Sequence, residues 1–395
     1  MRLFSDFKAT AFSISSLDNL LARSVISMAL CAFLSVSTLC PPVQAEVVRD
    51  RDAQVDGCPH SHVNLWKDPD VEPRGVVIAL HGLIMHGGVF DSLANTLAEK
   101  GYIVVAADMR GYGRWAPDKV EQILSKKCDE ETSDLGVKVP VFSRQADLVD
   151  VAVEGDLEEN DEFLKEHSKV VYKKSFQDLV KLTRAVKANH PDLPLFLVGE
   201  SMGAGMAIHI AGVTPESLDG IVLSSPAIKK KVNLVPRILV DAARFVRHPH
   251  KPVDLRPYIL KFASEDPVIA RACAQDPLVR KSLRPGELLK TSREIGRNIK
   301  YADLVPPSVP VLIIQGDKDR MVKSNGVVSL LHRLKSEDQT VKWFPGKGHL
   351  LLETPYITDE TMGTVTGWLN QKVREGRAKA VTQSLPDKNS DKVMH

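Results

Sequence analysis

Seven residues, Gly199-Glu200-Ser201-Met202-Gly203-Ala204-Gly205, stand between an apolar run, Leu195-Phe196-Leu197-Val198, and a helix-compatible run, Met206-Ala207-Ile208-His209-Ile210. That layout reads as strand, sharp turn, helix. Gly199 and Gly203 flank Ser201 at the spacing of a nucleophile elbow, in which the turn leaves no room for a Cβ on either side and lifts the serine hydroxyl above a sheet edge. The serine then lies at a helix N-terminus, whose unpaired N–H groups favour developing negative charge. Taken alone, the pattern also arises by chance in a glycine-containing loop. Its place after a strand of the buried type, and two distant segments, favour the elbow.

The strand before the elbow belongs to a series. Residues 75–80, Gly-Val-Val-Ile-Ala-Leu, and residues 102–107, Tyr-Ile-Val-Val-Ala-Ala, are continuous apolar runs, the pattern of strands buried on both faces in a parallel sheet. Between them, residues 89–100 read as an amphipathic helix closed by Gly101. Further strands are expected at 220–225, 311–315 and 340–344, with one at about 62–66 before the series. Helices are expected around Phe176 to Val186, over 324–334 and over 361–375. Strand and helix alternate, which implies right-handed crossovers and a doubly wound, mostly parallel α/β sheet. Two blocks interrupt it. Residues 115–170 read as an insertion with some helical content, because a structureless loop of that length is improbable inside a compact domain. Residues 227–305 carry helix-like segments without a strand and read as a cap over the C-terminal strand ends.

Three reactive side-chain types follow strands in the order serine, acid, histidine. Ser201 follows the run 195–198, Asp317 and Asp319 the run 311–315, and His349 the run 340–344. Nucleophile, acid and base in that order match the α/β-hydrolase arrangement. A serine hydroxyl is a poor nucleophile until a histidine accepts its proton, and the histidine needs a carboxylate to fix its tautomer. Only one of the two aspartates can meet the histidine, and turn chemistry alone explains either. The tetrahedral oxyanion calls for two backbone donors. Met202 N–H, just past the nucleophile, is one candidate, and Leu83 N–H, in the turn His81-Gly82-Leu83, is the other.

At this point a family resemblance is visible. The stretches His81-Gly82-Leu83, Asp108-Met109-Arg110-Gly111-Tyr112-Gly113, Gly199-Glu200-Ser201-Met202-Gly203, Gly316-Asp317-Lys318-Asp319-Arg320 and Gly348-His349 resemble the monoacylglycerol lipase and lysophospholipase branch of the α/β-hydrolases, sometimes grouped with serine aminopeptidases. The likeness covers about residues 75–370 outside the insertion and extends to Ser264-Glu265-Asp266-Pro267 and Asp276-Pro277-Leu278-Val279 in the cap. In that family's pattern the acid precedes an arginine, which implies Asp319 rather than Asp317. Glu200, in place of the commoner histidine, resembles plant-type members. The resemblance implies a serine ester hydrolase acting on a monoacylglycerol or lysophospholipid, with a peptidase, an acyltransferase or a non-catalytic binding module as the alternatives. The insertion and the N-terminal export signal depart from the family's pattern.

Composition bounds the partners. With 52 Lys and Arg against 50 Asp and Glu, a net charge of +2 and no basic stripe interleaved with aromatics, nucleic-acid binding is not expected. No metal, nucleotide or flavin motif is present, so no cofactor is expected. An uncharged stretch, 24–39, follows Arg23 and gives way to Pro41-Pro42-Val43-Gln44-Ala45, the layout of a signal peptide over residues 1–45. Export to a periplasmic, lumenal or extracellular space follows, an uncleaved anchor being the alternative. Cys58, Cys128 and Cys273 would then remain, and spacing does not select a disulfide pair. Between 229 and 251 seven lysines and arginines against one acid, Asp241, are interleaved with apolar residues. Such a stretch fits a cap helix packed on the core or peripheral contact with an anionic membrane. The acidic run 154–162 reads as a solvated face, and residues 376–395 as a polar, disordered tail. The oligomeric state is left open.

Overall fold

In the computed structural model, residues 47–58, 62–133, 161–231, 247, 248 and 250–384 are described. The export segment 1–45, the acidic stretch 154–160, most of the basic stretch 229–251 and the last eleven residues of the tail lie outside them.

The strands are β1 (Val48–Asp50), β2 (Val63–Lys67), β3 (Gly75–Leu80), β4 (Tyr102–Ala107), β5 (Leu195–Glu200), β6 (Gly220–Ser224), β7 (Val253–Asp254), β8 (Ser282–Leu283), β9 (Val311–Gly316) and β10 (Gln339–Phe344). Eight form one sheet in the order β1-β2-β4-β3-β5-β6-β9-β10. β1 and β2 pair antiparallel with their neighbours, and every pairing from β4 to β10 is parallel. The nucleophile strand β5 is therefore central, with β3 on one side and β6 on the other.

The continuous apolar runs have a direct cause. Successive side chains of a strand point to opposite faces, and both faces here are covered. Leu195 and Leu197 of β5 enter one core layer, Phe196 and Val198 the other. The helices are α1 (Asp91–Ala98), α2 (Pro117–Ser133), α3 (Asp161–His167), α4 (Tyr172–Asn189), α5 (Met202–Val213), α6 (Arg256–Phe262), α7 (Pro267–Gln275), α8 (Pro285–Tyr301), α9 (Asn325–Arg333) and α10 (Asp359–Ser384). Leu179, Leu182 and Val186 of α4, Met206 and Ile210 of α5, and Val327 and Leu330 of α9 complete the first layer. Leu93 and Leu97 of α1 and Val365, Trp368 and Leu369 of α10 complete the second. Each such side chain removed from water contributes roughly 1.5–3 kcal/mol. The elbow helix α5 is apolar on all sides, and accordingly it is buried along nearly its whole length.

Some elements differ from the sequence reading. β1 adds an edge strand of three residues, too short to show a period. The insertion is helical where it is described, as α2 and α3. The segment between β6 and β9 holds α6, α7 and α8, but also a two-stranded ladder, Val253 opposite Leu283 and Asp254 opposite Ser282. The last helix begins two residues early and runs to Ser384 rather than stopping at 375. Gly376 resembles a helix stop, yet it does not take the left-handed backbone of a C-terminal cap, and the chain stays helical through it. Residues 376–384 are thus helix rather than disordered tail.

The elbow tolerates nothing larger than glycine at two positions. A Cβ on Gly199 would lie 2.5 Å from the Gly203 carbonyl carbon, and one on Gly203 would overlap the Leu80 carbonyl oxygen. Both obstacles are backbone and cannot swing aside. Gly203→Ala is therefore expected to destabilise the protein by about 3 kcal/mol, whereas Gly367→Ala, at an open position of α10, is expected to stabilise it by about 0.5–1 kcal/mol. Urea unfolding of the two variants beside the wild type checks both signs.

Candidate active site

Ser201 occupies a backbone conformation that side-chain-bearing residues rarely adopt, with φ 55° and ψ −112°. Such strain costs on the order of 1–3 kcal/mol and persists only where the surroundings impose it. Here they do. Ser201 N–H donates to the Ser224 carbonyl at 2.9 Å, and the Ser201 carbonyl accepts from Ala227 N–H at 3.0 Å. The peptide groups of Ser201 are thus fixed by the end of β6, and its side chain remains partly accessible.

The loop after β10 brings His349 to it. His349 Nε2 lies 2.9 Å from Ser201 Oγ, and Nδ1 lies 2.7 Å from Asp319 Oδ2. Nδ1 carries the proton toward the carboxylate, which leaves Nε2 to accept from the serine. Asp319 is almost wholly buried and accepts three further bonds, from Met321 N–H at 2.7 Å, Val322 N–H at 3.0 Å and Gln315 Nε2 at 2.9 Å. Asp317, the other aspartate of the loop, is exposed and accepts from Gly346 N–H at 2.7 Å. The structure therefore brings Asp319, not Asp317, to the histidine. Burial disfavours the charged ring of His349, but the Asp319 carboxylate beside it outweighs burial and holds the imidazole above its ordinary value. Burial likewise opposes the Asp319 charge, and His349 and the two backbone donors overcome it, keeping the carboxyl below its ordinary value.

The two oxyanion candidates are also free to act. Among the described residues neither Leu83 N–H nor Met202 N–H has a hydrogen-bond acceptor. The loop that carries Leu83 is held from several sides. His81 Nδ1 lies 2.8 Å from the Gly82 carbonyl, while its Nε2 accepts from Met109 N–H at 3.0 Å. A fully buried ring with one donor and one acceptor bond is neutral, and burial lowers its pKa to about 4. Asp108 Oδ1 accepts from Gly87 N–H at 2.7 Å, and its other oxygen accepts from Arg114 N–H and Arg114 Nε at 2.9 Å each. Ile84, next to Leu83, has φ 67°, a strained value for a β-branched residue.

Several partners of this site are not evident from sequence. Glu200 is fully buried, and its carboxylate accepts from Ser224 Oγ at 2.6 Å, Leu351 N–H at 2.8 Å, Leu352 N–H at 3.2 Å and Glu353 N–H at 2.7 Å. It ties the nucleophile strand to the histidine loop. Ser225 donates its hydroxyl to the His349 carbonyl at 2.8 Å. The segment between β6 and β9 braces both loops through residues in or next to the two stretches that carry its family resemblance. Glu265 accepts from Gly348 N–H at 2.6 Å, and the Ala263 carbonyl accepts from Leu350 N–H. Asp276 lies 3.0 Å from His86 Nε2, Arg280 N–H donates to the Ile84 carbonyl at 2.9 Å, and Arg280 Nη1 donates to the Gly111 carbonyl. A signal for these contacts was present only as the acids Glu265 and Asp276 within the family-like stretches. Among the described residues, no cluster of three or more His, Cys, Asp or Glu is arranged to hold a metal ion, and no helix is long and apolar enough to cross a membrane. Cys273 is a buried free thiol, pushed up to about 12 by burial, so it enters no disulfide here.

The geometry yields a test with a pH readout. A base at His349 must be neutral to accept the Ser201 proton, so on that role kcat/KM is expected to rise with pH through a midpoint above the ordinary histidine value of 6.5. Asp319→Asn should lower kcat about 10³- to 10⁴-fold and move the residual midpoint downward, because burial then acts on the ring without its main opposing charge. Asp317→Asn should change neither. Ester turnover across pH for the three proteins decides between the two acids.

Residues 71–130 and 170–355 match the family described as serine aminopeptidase, S33. The chain is 26% identical over 310 residues to a monoacylglycerol lipase of Mycolicibacterium smegmatis, covering 78% of this chain and 91% of that protein. It is 24% identical over 332 residues to the human monoglyceride lipase, covering 81% and 89%. Among solved structures, a soluble variant of the Saccharomyces cerevisiae monoglyceride lipase superposes with a TM-score of 0.58 at 17% identity, covering 85% of this chain and 98% of that one. The monoacylglycerol lipase of Paleococcus ferrophilus gives 0.52 at 22%, covering 79% and 99%. The fold is thus the α/β-hydrolase fold, and with a family match over more than half its length, the chain belongs to the serine aminopeptidase S33 family of α/β-hydrolases and is a monoacylglycerol lipase-like hydrolase.

Proposed function

We propose that this hydrolase cleaves the carboxylic ester of a monoacyl lipid, a monoacylglycerol or lysophospholipid, through an acyl-Ser201 intermediate. The observation that carries the reading is the His349 ring, bonded at one nitrogen to Asp319 and at the other to Ser201. In the first half-reaction Ser201 Oγ bonds to the ester carbonyl carbon and gives its proton to His349 Nε2. The carbonyl oxygen becomes an oxyanion facing Leu83 N–H and Met202 N–H. As the tetrahedral centre collapses, the carbon–oxygen bond to the alcohol breaks, and His349 returns its proton to that oxygen. In the second half-reaction water takes the place of the alcohol, His349 accepts its proton, and a carboxylic acid leaves with Ser201 restored.

The lipid part of the reading is supported by the relatives, which are lipases of monoacyl glycerides by name. Near the loop that carries Leu83, a cavity of about 340 Å³ has the apolar walls Met85, Val89, Ile269, Cys273 and Val279 together with the polar Asp91, Ser92, Asp276 and Glu353. We further infer export from the layout of residues 1–45, and contact with an anionic lipid surface from the basic stretch 229–251.

A fluorophosphonate probe and a substrate panel test the proposal on protein lacking residues 1–45. Ser201→Ala should take up no label, and wild type should show a burst followed by steady release on a chromogenic ester. Monoacylglycerols and lysophospholipids of long chain should be turned over faster than short-chain esters and aminoacyl arylamides. A sharp optimum at short chains would defeat the lipid substrate, and preference for the arylamides would make the protein a peptidase.

A further inference from the structure

Glu353 lies four residues past His349, and only 3% of it is exposed. Its Oε1 accepts from Gly82 N–H at 2.5 Å, a contact between residues 271 positions apart. Its Oε2 is buried and has no hydrogen-bond partner. A Cβ placed on Gly82 would lie 2.9 Å from that oxygen and 3.3 Å from Ser201 Cβ, so the unpartnered oxygen faces the layer between the oxyanion loop and the nucleophile. Triad chemistry alone asks for no carboxyl here.

Gly82 has the widest conformational freedom of any residue type, and it precedes the candidate donor Leu83. Its carbonyl is bonded to His81 Nδ1 and to Met85 N–H. Glu353 supplies the other anchor, at its N–H. With both peptide groups of Gly82 pinned, the direction of the following N–H, that of Leu83, is fixed before substrate arrives. We propose that Glu353 is a positioning residue: its carboxyl anchors Gly82 N–H and thereby aims Leu83 N–H at the reacting carbonyl oxygen.

It performs this role as the neutral acid. Two carboxyl groups, Glu200 and Glu353, are buried side by side; no lysine or arginine among the described residues pairs with either, and only Glu200 feels the His349 ring. Glu200, at the end of β5, has one hydroxyl and three backbone donors for its charge, whereas Glu353 has the single Gly82 N–H. The groups that act on Glu353 are Glu200 at the end of β5, Gly82 N–H and, from the segment between β6 and β9, the Cys273 thiol. Burial, and then the Glu200 charge, push the Glu353 carboxyl well above its ordinary range. With Oε1 accepting from Gly82, the proton resides on Oε2. An ionised Glu353 would set a negative charge beside the developing oxyanion and oppose it.

This role rests on the acyl-Ser201 reading, and the test separates the two. Wild type, Glu353→Gln and Glu353→Ala are compared for fluorophosphonate labelling rate and for kcat and KM on a chromogenic ester across pH. Glu353→Ala should lose about 10²-fold in kcat with KM within about threefold. Glu353→Gln, a neutral isostere that keeps an acceptor for Gly82, should recover most of that loss and should lack the alkaline fall in kcat that ionisation of Glu353 is expected to produce in wild type. Labelled wild type with undiminished kcat in Glu353→Ala overturns the role of Glu353 and leaves the nucleophile standing. So does a folded Glu353→Gln as slow as Glu353→Ala, or one that keeps the wild-type alkaline fall. Wild type that takes up no label overturns both readings. Should Glu353→Ala unfold, the pH profile of Glu353→Gln decides alone.

Discussion

A buried carboxylate at the end of the central strand, that of Glu200, is the contact on which the arrangement of the site depends. A charge taken out of water is costly unless donors surround it. Its donors are the Ser224 hydroxyl at the end of β6 and three consecutive N–H groups just past His349. The electrostatic need of one side chain therefore fixes the backbone of the histidine loop relative to the nucleophile strand. Glu353, whose own N–H is one of those donors, carries the restraint onward to Gly82. Ser201, His349 and the turn that carries Leu83 are all referred to one point in the sheet.

Around that point the structure shows two kinds of constraint. Steric exclusion acts at the elbow, where the Leu80 and Gly203 backbones approach too closely for any side chain. Hydrogen-bonding satisfaction acts at the loops, where His81, Asp108, Asp319 and Glu265 each close a turn whose peptide groups would otherwise be bare. The stretch between β6 and β9 contributes to the second kind. Its Glu265 supports the turn before His349, and its Asp276 and Arg280 support the turn around Ile84. Residues of this segment thus share hydrogen bonds with the loops that carry His349 and Ile84.

Much of this is legible in the amino-acid order because it depends on local rules. Continuous apolar runs mark strands covered on both faces, and G-x-S-x-G after such a run marks the elbow. The order Ser201, Asp319, His349 follows from which strands end beneath the site. What is not legible depends on distant pairing. Glu200 reads as a variable position inside the elbow, and nothing near it in sequence announces the 351–353 amides. Glu353 reads as a loop acid. The choice between Asp317 and Asp319 rests on family pattern in the sequence and on burial in the fold, since Asp319 faces inward and Asp317 turns to solvent. Gly376 misleads as a helix stop because its backbone conformation, not its identity, decides.

The span of these contacts bears on how the protein matures. Ser201 meets His349 across 148 positions, and Gly82 meets Glu353 across 271. Contacts of such long range form late in folding, because chain entropy must be surrendered before they reward it. A chain still emerging from the ribosome, with its last strand and helix unmade, has an elbow serine but no base beside it. The Ser201–His349 contact is thus a property of the finished domain.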